Sequence, residues 1–398
     1  MQRVGQDWLV LNLSHNSGTA VGIATGLQFA PVLLFGLYGG VIADRFPKRR
    51  TLIVTQIAMG LCALTLGLLD VTGAVQLWHA YALAFALGIA SAIDTPVRQA
   101  FVTELVGPSL LPNAVGLNSA TFNTARILGP AGAGLMIASI GTAWVFLSNA
   151  ASFVAVIGGL MLMRDDELYV GKRLVQRKGA VREGLHYVLS RPELVAIMAL
   201  VLVVGSLGFN FQITSALMTR NEFHRGAESY GLISATYAFG SLLGALVSAQ
   251  RGKPVRRLVF MAAAIYGVLE IVAGVMPTYW SFFAMLIPFG FATLTFSTAA
   301  NTTVQLGASA VMRGRVMAVY LLVFLGGTPI GSPLIGWIGQ AAGPRWSLIV
   351  GGISSLIAAV ACAAYLARRE HVRVQPHLLR RHPHVHVVPV VDEDALVT

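Results

Sequence analysis

The chain has 398 residues, of which 56% are hydrophobic and only 11% charged, with a mean hydropathy of +0.71. Soluble domains carry roughly 25% charged residues, so this balance excludes a soluble domain and leaves a polytopic membrane protein. The net charge of +11 does not mark a nucleic-acid binder, because the Lys and Arg residues fall in short loops and a tail between apolar runs.

A spanning helix needs about 20 apolar residues. The first apolar stretch, Val4 to Leu13, has about half that length and holds an acid, Asp7. Full spans are expected at 19–43, 51–69, 76–94, 113–139 and 142–163, then at 194–219, 228–250, 255–276, 279–300, 316–340 and 344–366. That is eleven spans and a half: an all-α design of two six-helix bundles whose first helix is incomplete, through an internal start or a natural truncation, the first being favoured. The expected divisions are a first bundle at 1–163, a linker at 164–193, a second bundle at 194–366 and a tail at 367–398. No cleavable signal peptide is expected, since the first apolar run lacks a small-residue cleavage pattern.

The loops at 44–50, 95–112, 164–193, 251–257 and 301–315, with the tail, hold nearly all the bases, and the opposite loops near 70–76, 140–143 and 276–280 hold none. Lys and Arg near span ends resist translocation, so this asymmetry places the basic loops and the C-terminus on the cytoplasmic side of the membrane. Arg182 to Ser190 in the linker reads as a short amphipathic helix on that surface. The tail mixes Arg and Pro with His371, His377, His382, His384 and His386, and is expected to be disordered. Cys62 and Cys362 lie in apolar segments and form neither a disulfide framework nor a metal spacing. No cofactor and no metal are expected.

The densest motif is Gly36 to Leu52, GLYGGVIADRFPKRRTL. It joins two spans through a turn that sets Asp44 against Arg45, Lys48, Arg49 and Arg50. Such a cluster orients a membrane protein, and its charges can also pair with neighbouring helix ends and re-pair as the protein moves. Gly40, Asp44, Arg45, Lys48, Arg49 and Arg50 resemble the signature between the second and third helices of the major facilitator superfamily, with Pro47 where that family usually has glycine. Asp94, just before Pro96 and Arg98, is the expected gate partner of these bases.

The fifth span carries Asn118, Asn123 and Arg126, then Gly129, Pro130, Gly132 and Gly134. Proline removes a backbone hydrogen bond and glycine removes side chains, so this end of the helix can bend and pack closely. The same stretch is similar to the antiporter motif of that superfamily, and with Gln6 to Leu11 it resembles the bacterial efflux branch of enterobactin-exporter-like proteins. The second half echoes it at Thr328 to Leu334, as internal-repeat transporters do.

An arginine near the bilayer centre faces a cavity or a partner by default, and Asn123 shares the Arg126 face of the helix. Asp7 is the first candidate for a proton carrier and Glu270 the second, since a carboxylate in apolar surroundings can bind and release a proton near neutral pH. Arg126 is assigned to the substrate or to a gate. Gln28, Asn210, Gln212, Tyr237 and Tyr320 are further candidates for the central path, although single polar residues in spans also serve as interhelical contacts. No nucleotide loop, nucleophile elbow or metal spacing supports an enzyme. The resemblance implies a secondary transporter, acting as a monomer in the lipid bilayer, that exports a small apolar or amphipathic molecule in exchange for protons. Solute uptake by the same fold, or a non-transporting sensor or scaffold, are the alternatives.

Overall fold

A computed structural model describes residues 1–164, 167–169, 180–250, 256–309, 311–369, 372–377 and 384–389. A bilayer offers no water to unpaired backbone groups, so apolar segments must pair their own amides, and the described chain is almost wholly helical. The first bundle comprises α1 (Gln2–Leu13), α2 (Gly18–Arg45), α3 (Lys48–Val71), α4 (Leu77–Ile140) and α5 (Thr142–Leu162). A short helix, α6 (Ala180–Leu189), lies in the linker, where the sequence predicts one. The second bundle comprises α7 (Pro192–Val203), α8 (Phe211–Leu217), α9 (Ala227–Gln250), α10 (Arg256–Val275), α11 (Tyr279–Gly307), α12 (Arg313–Gly326), α13 (Thr328–Ala341) and α14 (Pro344–Arg369).

Among the described residues, 10 helical segments are long and apolar enough to cross a membrane. The eleventh expected span, 113–139, is helical as far as Ile140 but too polar to count among them. The 12-residue α1 is shorter than a span, at about 18 Å for about 1.5 Å per residue.

Three details depart from the expected spans. The loop expected at 95–112 is largely an extension of α4, whose backbone leaves helical geometry at Gly107, with φ +67°. A left-handed residue suits glycine, and there the chain turns from one arm of α4 to the other. The span expected at 194–219 is interrupted: a π-turn at Val204–Gly208 ends α7, and α8 begins only after Phe209 and Asn210. The span expected at 316–340 is two helices meeting at Gly327, with Pro329 in the first turn of α13. Proline there lacks the amide that would continue α12.

Four tryptophans, Trp78, Trp144, Trp280 and Trp346, begin α4, α5, α11 and α14 and are 60%, 51%, 63% and 50% exposed. All four stand at the end opposite the basic loops, forming an interfacial belt. Between the two ends, exposed apolar residues such as Val54, Leu61, Val154, Met261 and Ile357 make the lipid-facing surface.

The second bundle has its own core around Leu200, Tyr266, Phe282, Phe289 and Phe296. A second core joins the bundles, combining Val4, Trp8, Leu11 and Val21 with Ile213, Leu217, Ala227 and Tyr230. This junction lies at the tryptophan end. The tail contains an antiparallel pair, β1 (Val372–His377) and β2 (His384–Pro389), where composition predicts disorder. Val alternates with polar residues over much of both segments, the period of two that a strand favours.

Candidate functional site: a seam at one end and a cleft at the other

Two pairs of helices close the tryptophan end. Along α2 and α13, a β-carbon at Gly22 would fall 2.4 Å from the Ser332 carbonyl oxygen, and one at Gly336 would fall 2.2 Å from that of Gly18. Along the second arm of α4 and α9, a β-carbon at Gly134 would lie 2.9 Å from the Gly231 α-carbon, and the converse distance is also 2.9 Å. Backbones this close admit only glycine. Gly129 and Gly132 face Met1 at the start of α1. The predicted helix-bend motif, Gly129, Pro130, Gly132 and Gly134, is therefore a packing surface. Its echo at 328–334 does the same against α2, which accounts for the likeness of the two stretches.

Polar contacts lock the same end. Ser17 donates to the Gln340 side chain at 2.6 Å, Arg220 to the Asn16 side chain at 3.0 Å, and Asn221 to the Asn16 carbonyl at 3.1 Å. Asp7 belongs to this seam. It is 1% exposed, and one carboxylate oxygen accepts a hydrogen bond from the Tyr230 hydroxyl on α9 at 2.9 Å. The other oxygen has no hydrogen-bond partner, and neither do the buried Arg3 Nε and Gln6 Nε2. Trp8 stacks on Tyr230 at 6.1 Å, and the Arg220 guanidinium lies over Trp8 at 5.1 Å. Tyr230 is a residue that sequence reasoning missed. An isolated tyrosine in an apolar span carries no signal of its own; only the approach of α9 to α1 brings it to Asp7.

Toward the basic end the bundles diverge. The glycine contacts across the bundles run as far as Leu33 of α2 against Gly326, and the ion pairs of Lys48, Arg98 and Arg315 at the basic end each stay within one bundle or between the linker and the second bundle. Arg126 stands at the top of this cleft, exposed, with its guanidinium 5.9 Å from the Phe122 ring, and no ion pair with it appears among the described residues. Asn118 is exposed on the same arm, and Asn123 donates to the Ser119 carbonyl at 2.8 Å within its own helix.

The facing wall is aromatic. Tyr237 stacks on Phe211 at 3.8 Å and donates to Thr293 at 2.9 Å, and Phe209 meets Tyr266, Phe296 and Phe324 edge-on. Tyr320 is buried and stacks on Phe324 at 5.9 Å. Gln28 is half-buried, with its side-chain carbonyl unpaired. Asn210 does not face the path freely. It donates to the Ser206 carbonyl at 2.7 Å and accepts from Ser332 at 2.8 Å, pinning the break between α7 and α8 to α13.

Glu270 is enclosed within the second bundle. It is 1% exposed, and a β-carbon at Gly351 would lie 2.8 Å from its carboxylate, which is wedged between α10 and α14. Its Oε2 has no hydrogen-bond partner.

At the basic end, Gly40 and Asp44 lie outside the residues whose side chains are described. Arg45 and Arg50 are exposed. Lys48 pairs with Glu104 at 2.5 Å, and Arg49 donates to the Leu160 and Met161 carbonyls at 2.6 and 2.9 Å, where α5 ends. Asp94 is not the partner of these bases in this conformation. It accepts from Thr55 and Gln56, each at 2.8 Å, and from Arg98 at 2.5 Å. One turn separates Asp94 from Arg98, so extending α4 through the expected loop makes this pair possible. Lys48 and Arg49 are thus held by their own bundle.

The linker clamps the other bundle. Glu183 of α6 pairs with Arg315, and the Arg191 guanidinium packs over Tyr187 at 4.6 Å. The Ser309 amide donates to the Tyr187 hydroxyl at 3.1 Å, which lowers its pKa below the ordinary tyrosine value.

Comparison with known proteins agrees with this architecture. The profile of the transmembrane secretion effectors matches residues 1–394. The staphyloferrin A transporter of Staphylococcus aureus is 26% identical, with 89% of each chain covered. The enterobactin exporter EntS of Citrobacter koseri is 24% identical over 92% of this chain and 88% of its own. Among solved structures, a bacterial homolog of the human lysosomal transporter Spinster, inward-facing and unoccupied, superposes with a TM-score of 0.70 at 19% identity over 92% of this chain and 94% of that one. These relatives are membrane transporters rather than enzymes. The chain belongs to the transmembrane secretion effectors and is a multi-pass transporter of the major facilitator superfamily.

Proposed function

We propose that the protein exports a small amphipathic molecule from the cytoplasm across the inner membrane, by alternating access driven by inward proton movement. The two bundles, 1–163 and 194–366, rock about the 164–193 linker, with the tail cytoplasmic and a monomer as the working unit. The observation that carries this reading is the Asp7–Tyr230 hydrogen bond, an ionisable group placed on the seam that must part when the cleft opens outward. Proton binding at Asp7 removes a charge-assisted contact across that seam, which links protonation to opening. Arg126 stands separately in the cleft, where it can hold substrate, and Glu270 lies too far into its bundle to serve first. The names of the two relatives above support enterobactin and staphyloferrin A as starting probes.

Respiring everted vesicles test the reading directly. Vesicles bearing the protein are expected to accumulate one of these probes several-fold over empty ones, and an uncoupler to abolish the difference. Asp7→Asn should lose energised accumulation and retain downhill exchange. Accumulation only in right-side-out vesicles would reverse the direction, and indifference to the uncoupler would end the proton coupling.

A further inference from the structure

We propose that the cleft beneath the α4–α9 seam selects an aromatic anion, with Arg126 taking the carboxylate or phenolate and the ring lying along Phe209, Tyr237 and Phe324. This deepens the export reading only in taking the cleft as the substrate's path.

The depth of the two walls comes first. From the Gly134–Gly231 contact, Arg126 lies about 12 Å down α4 and Tyr237 about 9 Å down α9, at about 1.5 Å per residue. The two residues therefore stand at nearly one level, immediately beneath the seam. A guanidinium within a membrane span is costly unless something balances it. The buried carboxylates do not: Asp7 is engaged by Tyr230, Asp94 by Thr55, Gln56 and Arg98, Glu104 by Lys48, and Glu270 is enclosed between α10 and α14. Arg126 lies beside the Phe122 ring, with its fork of donors open to a planar anion.

The opposite wall supplies rings already held in place. Tyr237 is fixed by Phe211 at 3.8 Å, by Phe289 at 5.5 Å and by its hydrogen bond to Thr293. Phe209 and Phe324 are half-buried and meet edge-to-face at 5.7 Å. Rings fixed in advance lose little freedom when another ring stacks on them, so the wall favours an aromatic guest over an aliphatic one of equal size. The interruption at Phe209 and Asn210, pinned by Ser332, sets Phe209 among these rings.

Calorimetric titration of the purified full chain with three probes tests this: 2-naphthoate, neutral 2-naphthamide, and cyclohexanecarboxylate. The expected result is saturable binding of 2-naphthoate about tenfold tighter than either other probe. Arg126→Gln should bring 2-naphthoate down to the level of 2-naphthamide while leaving 2-naphthamide within about twofold, and Arg126→Lys should retain part of the preference. Phe209→Leu should weaken both aromatic probes and spare cyclohexanecarboxylate. Equal binding of all three probes, no saturable binding of 2-naphthoate, or an equal loss of 2-naphthoate and 2-naphthamide in Arg126→Gln would each overturn the proposal. Selective binding without proton-driven transport would overturn the export reading alone, and intact export without selective binding would overturn this one alone.

Discussion

Asp7 is a carboxylate with one satisfied oxygen and one orphan, and buried orphans are rare unless something changes partners there. Tyr230→Phe leaves the whole carboxylate unpaired and should lower stability in detergent by about 1–3 kcal/mol. Adding Asp7→Asn should recover part of that loss, because the two residues form one interaction. Thermal unfolding of the two single variants and the double variant measures the coupling, and strict additivity would show that the hydrogen bond carries none. Lys48 and Glu104 make a comparable pair at the basic end, with side chains 20% and 9% exposed. Lys48→Met strands a nearly buried carboxylate and should cost more than the double change to Lys48→Met with Glu104→Leu. The same melting series decides it: a double variant worse than Lys48→Met would reverse the expectation.

Helices meet across the seam through glycine because two backbones at van der Waals distance leave no space for a side chain. Gly22→Leu or Gly231→Leu should hold the tryptophan end apart, at a packing cost of about 1–3 kcal/mol, and favour the outward-open arrangement. Ser17→Cys with Gln340→Cys, in a background where Cys62 and Cys362 are serine, reads the seam directly, since the parent side chains touch at 2.6 Å. The crosslink should form readily in the parent sequence and fall several-fold with either leucine. Undiminished crosslinking would show that the seam tolerates the bulk. The interrupted segment between α7 and α8 belongs to the same logic. Unwound backbone persists inside a membrane protein where neighbouring groups satisfy it, and here the Asn210 side chain, itself held by Ser332, donates to the Ser206 carbonyl.

Taken as a whole, the molecule is shut at the end ringed by Trp78, Trp144, Trp280 and Trp346 and parted at the end that carries the bases. Positive charge near span ends stays on the cytoplasmic side, so the cleft should open to the cytoplasm. Gly73→Cys is therefore expected to react with a membrane-impermeant maleimide in intact cells, and Phe46→Cys only after lysis, again without Cys62 and Cys362. The reverse pattern would invert the orientation and make uptake the favoured direction.

Hydropathy along the chain was enough for the class, for nearly every span, for the α6 helix and for the asymmetry of the basic loops, because burial in lipid acts on each segment of about 20 residues separately. The close-packing stretch at Gly129 to Gly134 and its echo were legible for the same reason, small residues being a local signal. Partners were not. Asp94 turned to Thr55, Gln56 and Arg98 rather than to the 45–50 bases, Lys48 found Glu104, Glu270 fell between α10 and α14, and Asp7 met a tyrosine from the other bundle. Those pairings depend on how each helix is rotated and tilted against its neighbours. Rotation is decided by the packing of the whole bundle, which no single segment of sequence contains.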